Sequence, residues 1–224
     1  MSIAAALAAV RTRIEEACRR AGRDTSAVTL IAVSKKQPTE AIREAYAAGQ
    51  LDFGENYAQE LRDKQAALAD LAGVRWHALG PLQTNKAKYV AGKVALVQTL
   101  DRVELARELV RRAGGAPVRA LVEVNIGREP QKGGVTPEEL PARLAELSAV
   151  PGIELSGLMC IPPVADEPEA SRVHYRALRE LRDRLLPGGD LSMGMSDDFE
   201  VAVEEGATLV RVGTAIFGAR PPRV

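Results

Sequence analysis

The chain has 224 residues, 46% hydrophobic and 27% charged, with Lys+Arg and Asp+Glu both at 30. That length suits one or two domains, a single barrel being ordinary at this size, and is long enough to bury a sizeable core. Zero net charge supplies no overall basic field to hold nucleic acid by counterion release, and no apolar run approaches the about 18–20 residues that span a bilayer.

The two cysteines, Cys18 and Cys160, lack CxxC spacing and read as reduced, buried thiols. The N-terminus shows no charged-then-apolar signal peptide. A soluble, cytoplasmic protein is expected.

Apolar residues at Ile3, Leu7, Val10, Ile14, Ala17 and Ala21 mark one helix face, which Gly22 stops. Val28 to Lys35 is a short β-branched run and reads as a buried strand. Pro38 starts the next helix and Gly49 closes it. Strand-like runs follow near Asp52–Glu55, Val74–Leu79, Val94–Leu100, Val118–Ile126, Ile153–Ile161, Leu191–Met195 and Leu209–Val212. Helical runs fill the gaps. Asp101 with Glu104, and Thr136 with Pro137 and Glu139, look like capped helix starts.

The sum is eight strands and eight helices, counting the helix in front. Regular βα alternation requires a parallel sheet, because parallel strands need crossover connections. With no linker in the chain, closure into one α/β domain over residues 1–224, a (β/α)8 TIM barrel, is favoured over a doubly wound open sheet.

In such barrels function sits where strands end and βα loops begin. The first strand ends in Ser34-Lys35-Lys36. Alternation from Ile31 and Val33 puts Lys35 on their side, the barrel interior if that side is inward, while Lys36 points away. Burial lowers a lysine pKa, and the free amine attacks aldehydes. After the second strand, Asn56 in FGENY is either a pocket residue or a helix N-cap. His77 is one of two histidines; a lone histidine in a strand is more often a satisfied core residue than a catalyst. No HExxH motif or His/Cys cluster suggests a metal. Glu123 and Asn125 share a strand face and need partners, such as Lys35 or Arg211.

The C-terminal quarter is the richest. Phosphates in these barrels commonly sit on the loops after the last two strands, here Ser192–Phe199 and Gly213–Gly218. Ser196 and Thr214 offer hydroxyls, and glycines let backbone N–H groups approach an anion; the alternative is that Ser196 is an N-cap. Asp197 and Asp198 would repel a phosphate, so both are expected to point outward. An inward Arg211 needs an acceptor, and a pyridine nitrogen would serve and stay unprotonated.

The motifs AVSKKQP (Ala32–Pro38), FGENY (Phe53–Tyr57), WHALGPLQTNK (Trp76–Lys86), VNIG (Val124–Gly127), GLMCIP (Gly157–Pro162), LSMGMSDD (Leu191–Asp198) and RVGTAIFGAR (Arg211–Arg220) run in order over nearly the whole chain. Together they resemble the pyridoxal 5'-phosphate (PLP) homeostasis protein family, also called YggS/PROSC. The resemblance implies a barrel related to the N-terminal domain of alanine racemase. It implies Lys35 as the Schiff-base lysine, Asn56 in the pocket, Ser196, Gly213 and Thr214 at the phosphate, and Arg211 at the pyridine nitrogen. His77 and Met159 complete the candidate cofactor-binding set. Gln98, Cys160 and the loop Gln131–Gly134 depart from the family pattern without touching Lys35, Ser196 or Arg211.

The resemblance also implies a PLP carrier or buffer in vitamin B6 homeostasis, with PLP as ligand and apo forms of PLP enzymes as recipients. It implies no established catalysis. Alanine racemase adds a tyrosine base from a second domain, for which this chain shows no room, and Tyr46, Tyr57, Tyr89 and Tyr175 do not replace it. The alternatives are a racemase-like PLP enzyme using Tyr57 or His77, and a scaffold with structural PLP. Nucleic-acid and membrane partners are not expected, and a monomer is.

Overall fold

The structure is a computed structural model and describes residues 1–218. Ala219 and Arg220, which end the last motif above, lie outside the described residues.

Eight parallel strands form a closed barrel: Thr29–Val33 (β1), Asp52–Glu55 (β2), Arg75–Ala78 (β3), Leu96–Leu100 (β4), Val118–Val124 (β5), Ile153–Cys160 (β6), Asp190–Ser192 (β7) and Leu209–Val212 (β8). They pair in chain order, and β8 closes on β1 with Ile31 opposite Arg211 and Ala32 opposite Val212. The α-helices are Ile3–Arg20 (α1), Thr39–Ala47 (α2), Ala58–Ala67 (α3), Val103–Arg112 (α4), Leu140–Ser148 (α5), Arg172–Leu185 (α6), Phe199–Glu204 (α7) and Thr214–Phe217 (α8).

Strand periodicity of two sorts the apolar residues into two cores. Ile31, Leu79, Leu96, Leu121, Met159 and Leu209 fill the barrel interior. Their chain neighbours, such as Ala32, Ala78, Val97, Val122, Leu158 and Val210, face the helices. With both faces buried, strands such as β1 read as continuous apolar runs rather than alternating ones. Helix α1 buries Leu7, Val10, Ile14 and Ala17 and lies against α2, α7 and α8, the helices flanking the β8–β1 seam. Its N-cap Ser2 accepts the Ala5 N–H at 3.2 Å, and Arg19 and Arg20 face the negative end of its dipole.

Two local expectations change. The β3–β4 connection is a 3-10 turn, Thr84–Tyr89, and the eighth α-helix instead follows β8. Within that turn only Ala87 is buried, so no i, i+3/i+4 apolar face exists to stabilise an α-helix. Asp101 does not cap α4; it accepts from Arg102 Nη1 at 2.6 Å, and the N-cap position is Arg102. The Thr136–Glu139 box does form, with the Thr136 N–H donating to Glu139 Oε2 at 3.0 Å.

Leu109 on α4 is fully buried in the outer core. Leu109→Ala should lower the unfolding free energy by about 3 kcal/mol, read as a lower denaturant midpoint at unchanged m-value.

Candidate functional site

A cavity of about 210 Å³ lies at the C-terminal ends of the strands. Lys35, Asn56, Ser196, Asp197, Arg211, Gly213 and Thr214 supply its polar groups, and Val33, Leu79, Ile161 and Met195 its apolar walls. Six of the eight candidate residues therefore meet in one place. A larger cavity of about 960 Å³ adjoins it and shares Ile161, Met195, Ser196, Asp197 and Thr214.

Lys35 sits two residues beyond β1, on the same side as Val33 and half-buried. The backbone on both sides of it is clamped from behind. Lys64 Nζ donates to Ser34 O at 2.6 Å, to Glu55 Oε1 at 2.7 Å and to Glu60 Oε1 at 2.7 Å. Ser34 Oγ donates to Glu55 Oε1 at 2.6 Å, and the Lys36 N–H to Glu60 Oε1 at 2.6 Å. These bonds hold Lys36 at φ 61, a left-handed conformation uncommon for a lysine. Lys36 turns away, as alternation predicts, with Nζ 5.9 Å from the Tyr57 ring centroid. Burial pushes the Glu55 carboxyl above its ordinary range, and Lys64 and Ser34 act against that rise.

Asn56 lines the cavity and is not a cap: the N-cap of α3 is Tyr57. Gly80 makes its placement feasible, since a Cβ there would fall 2.2 Å from Asn56 O.

The loop after β7 turns at Gly194, whose φ of +92 suits glycine and whose Cβ would come within 2.5 Å of the Ala202 side chain. Ser196 Oγ accepts the N–H groups of Gly213 at 3.3 Å and Ala215 at 3.4 Å, so it bridges the loops after β7 and β8. It is not the cap of α7, which is Asp198. Neither aspartate simply points outward: Asp197 is exposed but lines the cavity, and Asp198 is buried. Its carboxylate accepts from Tyr175 OH at 2.6 Å, Ser171 Oγ at 2.9 Å and Met195 N–H at 2.8 Å. Those three donors engage its charge and brace the loop that presents Ser196, and the residue lines the larger adjoining cavity.

Arg211 is buried, with Nη1 donating to Ser192 Oγ at 2.6 Å and Nη2 to Cys160 O at 2.9 Å. Burial pulls its pKa down, yet an arginine remains charged. Glu123, also inside the barrel, is pushed up to about 7 by burial first and by Asp101 second, while Arg211 pulls it down. Asn125 serves its own loop instead, donating to Glu129 O at 2.8 Å and accepting the Glu129 N–H at 3.0 Å. His77 and Met159 are not among the cavity's lining residues. His77 sits lower in the barrel between Asp52 and Gln98, and Met159 belongs to the apolar interior. Among the described residues no His/Cys/Asp/Glu cluster could hold a metal ion.

Sequence reading missed the supports: Lys64 and Glu60 behind Lys35, and Ser171 and Tyr175 behind the Ser196 loop. One clue was available. Lys64 occupies the position three beyond Leu61 on the buried face of α3, and a lysine there demands acceptors.

The chain matches the family model described as "Alanine racemase, N-terminal domain" over residues 6–221. It is 48% identical over 223 residues to the pyridoxal phosphate homeostasis protein of Aquifex aeolicus, covering 96% of each chain. PipY of Synechococcus elongatus, solved with PLP bound, superposes with a TM-score of 0.83 at 39% identity, over 97% of this chain and all (100%) of that one. Alanine racemase of Corynebacterium glutamicum shares the fold at a TM-score of 0.65 and 21% identity, over 96% of this chain and 61% of that one.

A carboxyl whose folded pKa lies above its unfolded value binds a proton in the native state that the unfolded chain has released, so stability falls as pH rises between the two values. For Glu123 that window runs from the ordinary 4.5 to about 7. Glu123→Gln should abolish the loss and gain up to about 3 kcal/mol relative to the wild type above the window, measured as denaturant unfolding across pH.

Proposed function

Because the chain belongs to the pyridoxal phosphate homeostasis protein family, we propose that it binds PLP in the Lys35 cavity and holds it for delivery rather than for turnover. The observation that carries this reading is the convergence, in one cavity, of an amine, a guanidinium, hydroxyl and backbone N–H donors, and apolar walls. The set fits a flat heteroaromatic aldehyde bearing a phosphate.

Bound there, PLP supplies an aldehyde that condenses reversibly with a primary amine. Lys35 is the amine that holds it covalently. Ser196 and Thr214, with the N–H groups of Gly213 and Ala215, receive the phosphate. In the structure Ser196 Oγ occupies two of those N–H groups, which keeps them converged on one point. Arg211 donates to the ring nitrogen and keeps a proton off it, which weakens the ring as an electron sink. Asn56 and the walls formed by Val33, Leu79, Ile161 and Met195 orient the ring.

The surroundings of the cavity support a carrier over a racemase. A racemase needs a second acid/base opposite its lysine. Among the described residues no tyrosine lines the cavity: Tyr57 is 50% exposed beside it, and Tyr175 is engaged by Asp198. His77 is engaged by Asp52 and Gln98. The recipients are apo forms of PLP enzymes. The free, buried thiols of Cys18 and Cys160 suit the reducing cytoplasm.

Purified protein loaded with PLP should be yellow and lose its colour on borohydride reduction, with the pyridoxyl group mapped to Lys35. Lys35→Ala should stay colourless. Loaded protein should restore activity to an apo PLP enzyme while exchanging no solvent deuterium into the Cα of free amino acids. A colourless wild type removes the binding reading, and rapid Lys35-dependent deuterium exchange replaces the carrier with an enzyme.

A further inference from the structure

A line of five hydrogen-bonded side chains crosses the barrel interior below the cavity. Arg211 Nη1 lies 2.6 Å from Ser192 Oγ, and Ser192 Oγ lies 2.6 Å from Gln98 Oε1. Gln98 Nε2 lies 3.2 Å from His77 Nδ1, and His77 Nε2 lies 3.1 Å from Asp52 Oδ1. The members come from β8, β7, β4, β3 and β2, and all are buried. At the far end Asp52 also accepts from Arg75 Nε at 2.8 Å.

The chemistry of the two ends fixes every link between them. A guanidinium only donates, and a carboxylate only accepts. Ser192 Oγ receives from Arg211, so its single proton goes to the Gln98 carbonyl. The Gln98 amide then faces His77 Nδ1, which must offer a lone pair, and the His77 proton sits on Nε2 and goes to Asp52. Each bond donates in the same sense. Reversing any one of them sets donor against donor or leaves a buried hydroxyl without an acceptor, and a half-satisfied buried network is costly.

We propose that Ser192, Gln98 and His77 form a one-way hydrogen-bond relay that orients Arg211 in the cavity, anchored at the other end of the barrel by Asp52. These three are positioning residues. Arg211 itself is held by a hydroxyl and a backbone carbonyl, neutral acceptors that leave its charge for the ligand. The consequence for cofactor retention rests on the PLP reading above; the relay itself does not.

Long-range proton–nitrogen NMR of the apoprotein carrying His174→Gln leaves His77 as the sole histidine and reads its tautomer without any ligand. The expected result is Nε2–H with a bare Nδ1. An Nδ1–H tautomer, or a doubly protonated ring at neutral pH, overturns the relay. In PLP-loaded protein, Ser192→Ala and Gln98→Leu should each speed PLP dissociation about tenfold or more, the usual worth of a hydrogen bond to a charged group. The double variant should do no more than the larger single, as expected for one chain, and both singles should shift the absorption band in the same direction. Ser192→Ala removes only an oxygen, so it tests the relay even if Gln98→Leu fails to fold. Unchanged dissociation and absorption in Ser192→Ala, with Arg211→Met raising the rate, overturn the proposal. Should PLP not bind, the Arg211 guanidinium protons give the same answer: exchange slower in wild type than in Ser192→Ala supports the relay, and equal exchange overturns it.

Discussion

A guanidinium cannot shed its charge, so burying Arg211 obliges the barrel interior to supply acceptors. That obligation shapes the whole inner layer. The apolar cluster of Ile31, Leu79, Leu96, Leu121, Met159 and Leu209 fills much of the interior, while Ser192, Gln98, His77 and Asp52 take up the donors that hydrocarbon cannot. A barrel of this kind needs its interior packed for stability, and here part of the packing is a polar line with a cation at one end and an anion at the other. Burial opposes the Asp52 charge, but His77 and Arg75 outweigh it and hold the carboxyl below its usual range.

The cavity is built by the same logic of support from behind. Lys35 is presented by backbone that Lys64, Glu55 and Glu60 pin on both sides. Ser196 is presented by a loop that Asp198, Tyr175 and Ser171 brace. Such second layers keep a binding group within a fraction of an ångström of its working position. They also engage two of the acidic residues: Asp198 and Glu55 are buried against donors, while Asp197 stays exposed at the cavity's edge. Glu123, in the barrel interior, is pushed up to about 7 by burial, with Asp101 adding to the rise and Arg211 opposing it.

Relatives at 48% identity bear the homeostasis name, while the racemase likeness, at 21% identity, extends to the fold alone. A shared fold leaves chemistry open. The Lys35 cavity brings an amine, a guanidinium and hydroxyl groups together between apolar walls, with the Asp197 carboxyl and no tyrosine or histidine among its described lining residues.

The sequence by itself determined the strands, most helices, their alternation, and the residues at strand ends that line the cavity. Those features follow from short-range periodicity: Ile31, Val33 and Lys35 share a side because a strand repeats every two residues. Glycines and cap boxes such as Thr136–Glu139 are equally local. The β3–β4 connection failed this reading because its polar segment carries no helix face, and Asp198 failed it because the donors that draw it inward, Ser171 and Tyr175, lie 27 and 23 residues away. His77 and Met159 looked like site residues, yet the barrel's depth places them beneath the cavity. Only the tertiary structure decided the supports, Lys64 behind Lys35 and Gln98 bonded to Ser192 across 94 residues. A hydrogen bond between side chains on distant strands leaves no periodic trace in the chain; it exists only once closure of the sheet brings those strands to face one another across the interior.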